Sequence, residues 1–160
     1  MNFFRHRLLG LPALALLIAA AGCSSRDGSP SAAVPSPDAK VTQLCRNLDK
    51  VLPRKVDGLE RNDPEPRSAL TAGWGSPAII LRCGVARPAQ MDDAEADGVE
   101  VDRVGWLLQK RDDGSFLFTT TLRQAYVEVS LPKERTGAGV APLVGLAPAV
   151  RKAIPEGIAD

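Results

Sequence analysis

The chain has 160 residues, 44% of them hydrophobic and 24% charged, with a formal net charge of +1. That leaves room for one compact domain with appendages and for a core of ordinary size. Arg5 and Arg7 fall in a stretch of 22 residues that carries no acid. The remainder is therefore close to neutral and offers no general electrostatic grip on a phosphate backbone, which argues against nucleic acid as a partner.

Residues 1–22 read as a secretory signal. Arg5, His6 and Arg7 form a positive start, and Leu8 to Ala21 is an uncharged, mostly apolar run. As a helix that run would cover about 21 Å, short of the roughly 30 Å of a bilayer's hydrocarbon core, and Pro12 weakens it further as a permanent span. The run ends in Ala20-Ala21-Gly22-Cys23, which resembles the lipobox of bacterial lipoproteins, with Ala20 where leucine is commonest. The resemblance implies a diacylglyceryl group on the Cys23 sulfur, cleavage before it, and often a further acyl chain such as palmitate on the new amine. Two acyl chains anchor stably where one is marginal. The expectation is an exported protein held at the outer face of the cell membrane through Cys23.

Residues 23–40 read as the lipidated cysteine and a disordered tether. Ser24 to Lys40 is rich in Ser, Pro, Ala and Gly and has almost nothing large to bury. Fully extended, it would reach about 55–60 Å. Ser36-Pro37-Asp38 looks like a helix start, with a hydroxyl cap, a proline at the first position and an acid in the first turn.

Residues 41–155 read as a single domain. Val41, Leu44, Cys45, Leu48, Val51 and Leu52 recur at helical spacing until Pro53. Val56 to Ser68 reads as a loop, and Leu70 to Trp74 as an edge strand. Ala78 to Val85 is a β-type run with Ile79, Leu81, Cys83 and Val85 on one face and Ile80 and Arg82 on the other. Val99 to Lys110 reads as one strand, with Val104, Trp106 and Leu108 sharing a face. Asp113-Gly114 marks a hairpin leading to Phe116–Leu122. Ala125 to Leu131 alternates, with Val127, Val129 and Leu131 inward and Tyr126, Glu128 and Ser130 outward. Val140, Leu143, Val144, Ala147 and Val150 predict a final helix that Pro148 should kink or divide. The fold class is α+β in two layers: a mostly antiparallel sheet of three to five strands against an N-terminal and a C-terminal helix.

With Cys23 carrying lipid, Cys45 and Cys83 remain as an even pair in an oxidising compartment, both on predicted buried faces. A disulfide between them would staple helix to sheet. Neither lies in a Cys-x-x-Cys motif or beside a histidine that would activate a thiol.

The single histidine, His6, leaves with the signal, which removes Ser-His-Asp and Cys-His catalysis and histidine-ligated zinc. Asp93-x-Glu95-x-Asp97-Gly98 imitates half of a calcium loop, but Val104 stands where its bidentate glutamate belongs. Ser130-Leu131-Pro132-Lys133 matches Ser-x-x-Lys in form, yet the serine ends a strand rather than opening a helix. No catalytic, cofactor-binding or metal-binding residue is therefore assigned. Asp92, Asp93, Glu95, Asp97 and Asp102 are candidates by type alone for a carboxylate hydrolase of envelope polymers, which needs two acids about 5–10 Å apart in a groove. Trp74, Arg82 and Trp106 form the candidate binding surface, as aromatics are scarce and Arg82 could receive an anion.

The segments Cys45-x-x-Leu48-x-x-x-Leu52-Pro53, Val56-Asp57-Gly58, Trp74-Gly75-x-Pro77-Ala78-Ile79-x-Leu81-Arg82-Cys83-Gly84-Val85, Trp106 and Tyr126-Val127-Glu128-Val129 together resemble an actinobacterial envelope family, the domain-of-unknown-function family 3515. The likeness runs from about Lys40 to Pro155. It implies an exported, membrane-associated protein with two paired cysteines and carries no activity. The leading expectation is a non-enzymatic module that binds an envelope protein or glycan. A small-ligand accessory lipoprotein and a carboxylate hydrolase stand as alternatives.

Overall fold

The computed structural model describes residues 28–159. The leader, the lipidation at Cys23 and the first tether residues lie outside the described residues. Helix α1 (Ala39–Asp49) buries Val41, Cys45 and Leu48, one stripe at helical spacing. Its cap is Asp38, two residues later than Ser36, and the Asp38 carboxylate accepts the Val41 amide at 3.0 Å. Pro37 instead packs over Gly84, where a Cβ would come within 2.6 Å of the proline ring.

The segment expected to be a loop begins with a small hairpin, β1 (Lys55–Val56) and β2 (Leu59–Glu60). Asp57 and Gly58 form its turn with φ of +50° and +75°, the left-handed pair that a two-residue hairpin requires. The main sheet holds β3 (Thr71–Trp74), β4 (Ile79–Cys83), β5 (Gly98–Val101), β6 (Val104–Lys110), β7 (Phe116–Thr120) and β8 (Val127–Leu131). Its order is β3-β4-β8-β7-β6-β5, every neighbour antiparallel.

The sheet has six strands rather than three to five because Val99–Lys110 is not one strand. It folds back at Asp102-Arg103, so that Val101 faces Val104. The Asp113-Gly114 hairpin and the Leu70–Trp74 edge strand form as expected.

On the sheet's inner face, Ile79, Leu81, Cys83, Val104, Trp106, Phe118, Val127, Val129 and Leu131 pack into one core with both helices. Helix α2 (Ala141–Ala153) supplies Leu143, Leu146, Ala147 and Val150. It runs through Pro148 without dividing. Pro148 and Val144 both face solvent, so water can take the Val144 carbonyl that the proline leaves unbonded. The Cys45–Cys83 disulfide joins α1 to β4, with Cα atoms 5.5 Å apart.

Two ends of the domain extend beyond the expected limits. The backbone at Pro30 and Ala32 pairs with Glu65, at 2.7 and 3.2 Å, and the Ala33 carbonyl accepts from Arg82. The expected free tether is thus docked from Pro30 onward. An extended Pro-rich strip can do this without a core of its own, since it satisfies its backbone on a surface already formed. At the other end, Gln124 donates to Pro155 and Gly157 to Leu122, at 3.0 Å each.

The disulfide closes a loop with a sequence separation of 38, which in the chain-entropy relation is worth about 4 kcal/mol. The double variant Cys45→Ala/Cys83→Ala is expected to lose about 3–4 kcal/mol in urea unfolding. Reductant should shift the wild type by a similar amount and leave the variant unmoved.

Candidate functional site

Trp74 and Trp106 do not form a surface. Both are fully buried, on β3 and β6, four strand spacings or about 19 Å apart. The Trp74 indole N–H donates to the Pro53 carbonyl at 3.0 Å, and the Arg61 guanidinium lies 5.3 Å above its ring. Asp49 and Asp63 hold Arg61 there. Trp106 is seated in the core by shape alone, its N–H having no hydrogen-bond partner among the described residues. Arg82 is taken up by Glu128, at 2.7 Å, across β4 and β8. These three residues hold the fold together and do not converge.

The five candidate acids are all exposed, and four of their carboxylates are otherwise engaged. Asp92 pairs with Arg87, Asp97 with Lys110 and Asp102 with Arg151, while the Asp93 carboxylate accepts the Glu95 amide. Glycosidic acid–base chemistry needs one carboxyl kept protonated by apolar surroundings. All five are open to solvent, although Asp97 borders the groove described below. Asp93, Glu95 and Asp97 likewise do not gather as a calcium set, and no cluster of three ligating side chains occurs among the described residues.

A groove does form elsewhere, on the sheet's outer face. Helices occupy the inner face, and β4 and β5 run parallel with three strands between them. The connection 84–97 must therefore cross the outer face. Its short 3₁₀ turn at Ala89–Asp92 brings Met91 opposite Leu107, with Tyr126 beside them. Two outward positions of the floor are glycines, and at Gly98 the floor is hollow. Gly98 lies across from Leu107, and Gly105 across from Glu100. A Cβ on Gly105 would meet the Thr121 hydroxyl at 2.4 Å, whereas one on Gly98 would touch only the Trp106 carbonyl, at 3.8 Å. The groove measures about 400 Å³, within the range of small-molecule and side-chain pockets. Tyr126, expected to point to solvent, is buried as one of its walls. Arg87 stands at the rim, paired with the Asp92 carboxylate, whose hydrogen bond raises the guanidinium pKa.

Leu122 and Ile158 complete the rim and are 70% and 69% exposed. Leu122 sits at φ +52°, where a branched side chain costs about 1–2 kcal/mol. Its carbonyl, accepting from Gly157, holds it in place. The β5–β6 turn is strained in the same way, with Asp102 at φ +46° and Arg103 at +63°. Two arginines clamp it: Arg151 donates to the Asp102 carbonyl and buried Arg123 to the Arg103 carbonyl, each at 2.9 Å. Arg123 also reaches the Ile154 carbonyl at 3.2 Å. Leu122 is thereby fixed at one end of the groove, beside the β5–β6 turn.

Fold and site thus define a disulfide-stapled, two-layer α+β protein with a half-open, mostly apolar groove on the outer face of its sheet. The model of the family described as "Protein of unknown function (DUF3515)" matches residues 8–159, and the chain belongs to that family. No curated protein and no solved structure matches the chain.

Opposite effects are expected within the one strained turn. Arg103→Gly removes a non-glycine left-handed residue and should stabilise by about 0.5–1 kcal/mol. Arg123→Ala leaves two carbonyls without this donor, that of Ile154 buried and that of Arg103 partly so, and should cost about 2–3 kcal/mol. Thermal unfolding of the two variants reads both signs.

Proposed function

We propose that the protein is a lipid-anchored, extracytoplasmic binding module of the cell envelope that engages a partner through the outer-face groove. The anchoring rests on the order of features in the chain: the basic start, the 8–21 apolar run, and small residues before Cys23. The binding role rests on the groove with exposed, apolar Leu122 and Ile158 at its rim. Exposed apolar side chains gathered at a concave site are the mark of an interaction surface.

Docking of the chain from Pro30 sets the height of this module. Only six residues lie between Cys23 and Pro30, a span of about 25 Å when fully extended. The domain then works close to the bilayer rather than at the end of a long line. A protein partner fits the groove better than a glycan, because sugar rings stack on exposed aromatic faces and both tryptophans are buried. A small apolar ligand is the second reading, favoured by the groove's volume.

Two measurements test the proposal. The native protein is expected in the detergent phase on Triton X-114 partition, and Cys23→Ser in the aqueous phase. A photo-reactive benzoylphenylalanine at Leu122 should give one discrete adduct in intact cells. The same group at exposed Val144 on α2 should give none. Equal, diffuse labelling from both positions would contradict a site at the groove.

A further inference from the structure

The two edges of the main sheet are treated differently. The free edge of β3 is covered, since Arg61 bridges Trp74 and the Asn62 amide donates to the Gly73 carbonyl at 2.7 Å. A Cβ on Gly73 would lie 2.3 Å from the Asn62 carbonyl oxygen, so the cover depends on that glycine. The free edge of β5 has no such cover among the described residues. Hydrogen-bonded pairs alternate along an antiparallel ladder. The Leu108 amide donates to the Asp97 carbonyl at 2.7 Å, which marks 97–108 as a bonded pair, so Val99–Trp106 and Val101–Val104 are bonded as well. The N–H and C=O of Gly98 and Glu100 therefore point away from β6, and both residues are exposed. This edge has no proline and borders the groove directly; its only guards among the described residues are its shortness and the Glu100 charge.

We infer that β5 receives an extended segment of a partner protein as a seventh, antiparallel strand, with an apolar side chain opposite Gly98 and a basic one opposite Glu100. The inference rests on the groove reading above and names the partner's chemistry. Residues directly opposite each other in a sheet point to the same face, and the side chains of 98 and 100 belong to the outer face. The side chain opposite Gly98 meets no Cβ and leans across it into the hollow between Leu107 and Met91. The side chain opposite Glu100 meets a carboxylate that has no ion pair among the described residues, so a lysine or arginine complements it. Val99, on the inner face, accepts a β-branched residue between the two. Antiparallel running order then gives the recognised pattern from N to C as basic, β-branched, apolar. Main-chain bonds to Gly98 and Glu100 supply affinity and the two side chains supply specificity.

The test uses the full chain and a fluorescent heptapeptide, Thr-Thr-Lys-Val-Leu-Thr-Thr, read by polarisation. Its partner probe has glutamate in place of lysine. The wild type should prefer the lysine peptide by about fivefold, and Glu100→Lys should invert that preference. Gly98→Val places a strand-compatible side chain in the hollow and should weaken binding about tenfold without lowering the melting temperature. N-methylation of the peptide leucine, which removes a main-chain donor, should weaken it at least as much. Binding that ignores the Gly98→Val, Glu100→Lys or N-methyl changes would overturn the inference, as would no binding by either peptide. So would a dimer of the chain itself that Glu100→Lys dissolves, which would give the edge to a second copy. A discrete adduct from Leu122 alongside failed peptide binding would leave the groove reading standing and remove only this strand-addition assignment.

Discussion

The covalent bond between Cys45 and Cys83 sets which face of the sheet is closed. It fixes α1 over β4, near one end of the strand order, and α2 packs beside α1 to fill the same layer. The chain must travel from β4 to β5 across three intervening strands, and the helices leave it only the opposite face. That crossing carries Met91 and Arg87 over Leu107 and Tyr126, and the unfilled space beside them is the groove. A small domain with few aromatics thus spends its helices on one side and its longest connection on the other. The groove is a consequence of topology as much as of the residues that line it.

The far end of the sheet is organised by arginines rather than by a second disulfide. Arg123 and Arg151 donate to carbonyls of a turn whose two central residues both have positive φ. Arg123 also draws in the C-terminal residues through Ile154. A charge buried this deeply is costly unless its donors are taken, and here two backbone carbonyls take them. The same contacts set the β5–β6 turn and the exposed Leu122 in fixed relation, so the groove has a rigid rim at that end. At the other end of the sheet, Arg61, Asp49 and Asp63 hold the cover over β3 and Trp74.

Much of this was legible in the residues. The alternation of Ile79, Leu81 and Cys83, the stripe of Val41, Cys45 and Leu48, and the Asp113-Gly114 turn specify their elements unambiguously, and the pairing of two buried cysteines follows. The β5–β6 turn was hidden because Asp-Arg is poor hairpin chemistry beside Asn-Gly. Its trace is a change of phase: Val99 and Val101 fall on odd positions of the inner face, Val104, Trp106 and Leu108 on even ones. A continuous strand cannot bury both sets on one side. The groove was illegible for a further reason. Its floor is made by what glycines lack, and its wall by a connection whose path depends on strand order. Scarcity of aromatics pointed instead to Trp74 and Trp106, which the core consumed. The Pro-rich strip after Pro30 reads as free from composition because backbone pairing on a surface leaves no hydrophobic signature.

One edge of this sheet is closed and the other is open in the free protein. Amide hydrogen exchange on the folded chain, followed residue by residue, measures it directly. Gly98 and Glu100 should exchange with little protection, while Val99 and Val101 in the same strand, and Asn62 and Gly75 at the covered edge, are strongly protected. Equal protection of all four β5 amides would mean that this edge is already occupied, and the account would be wrong.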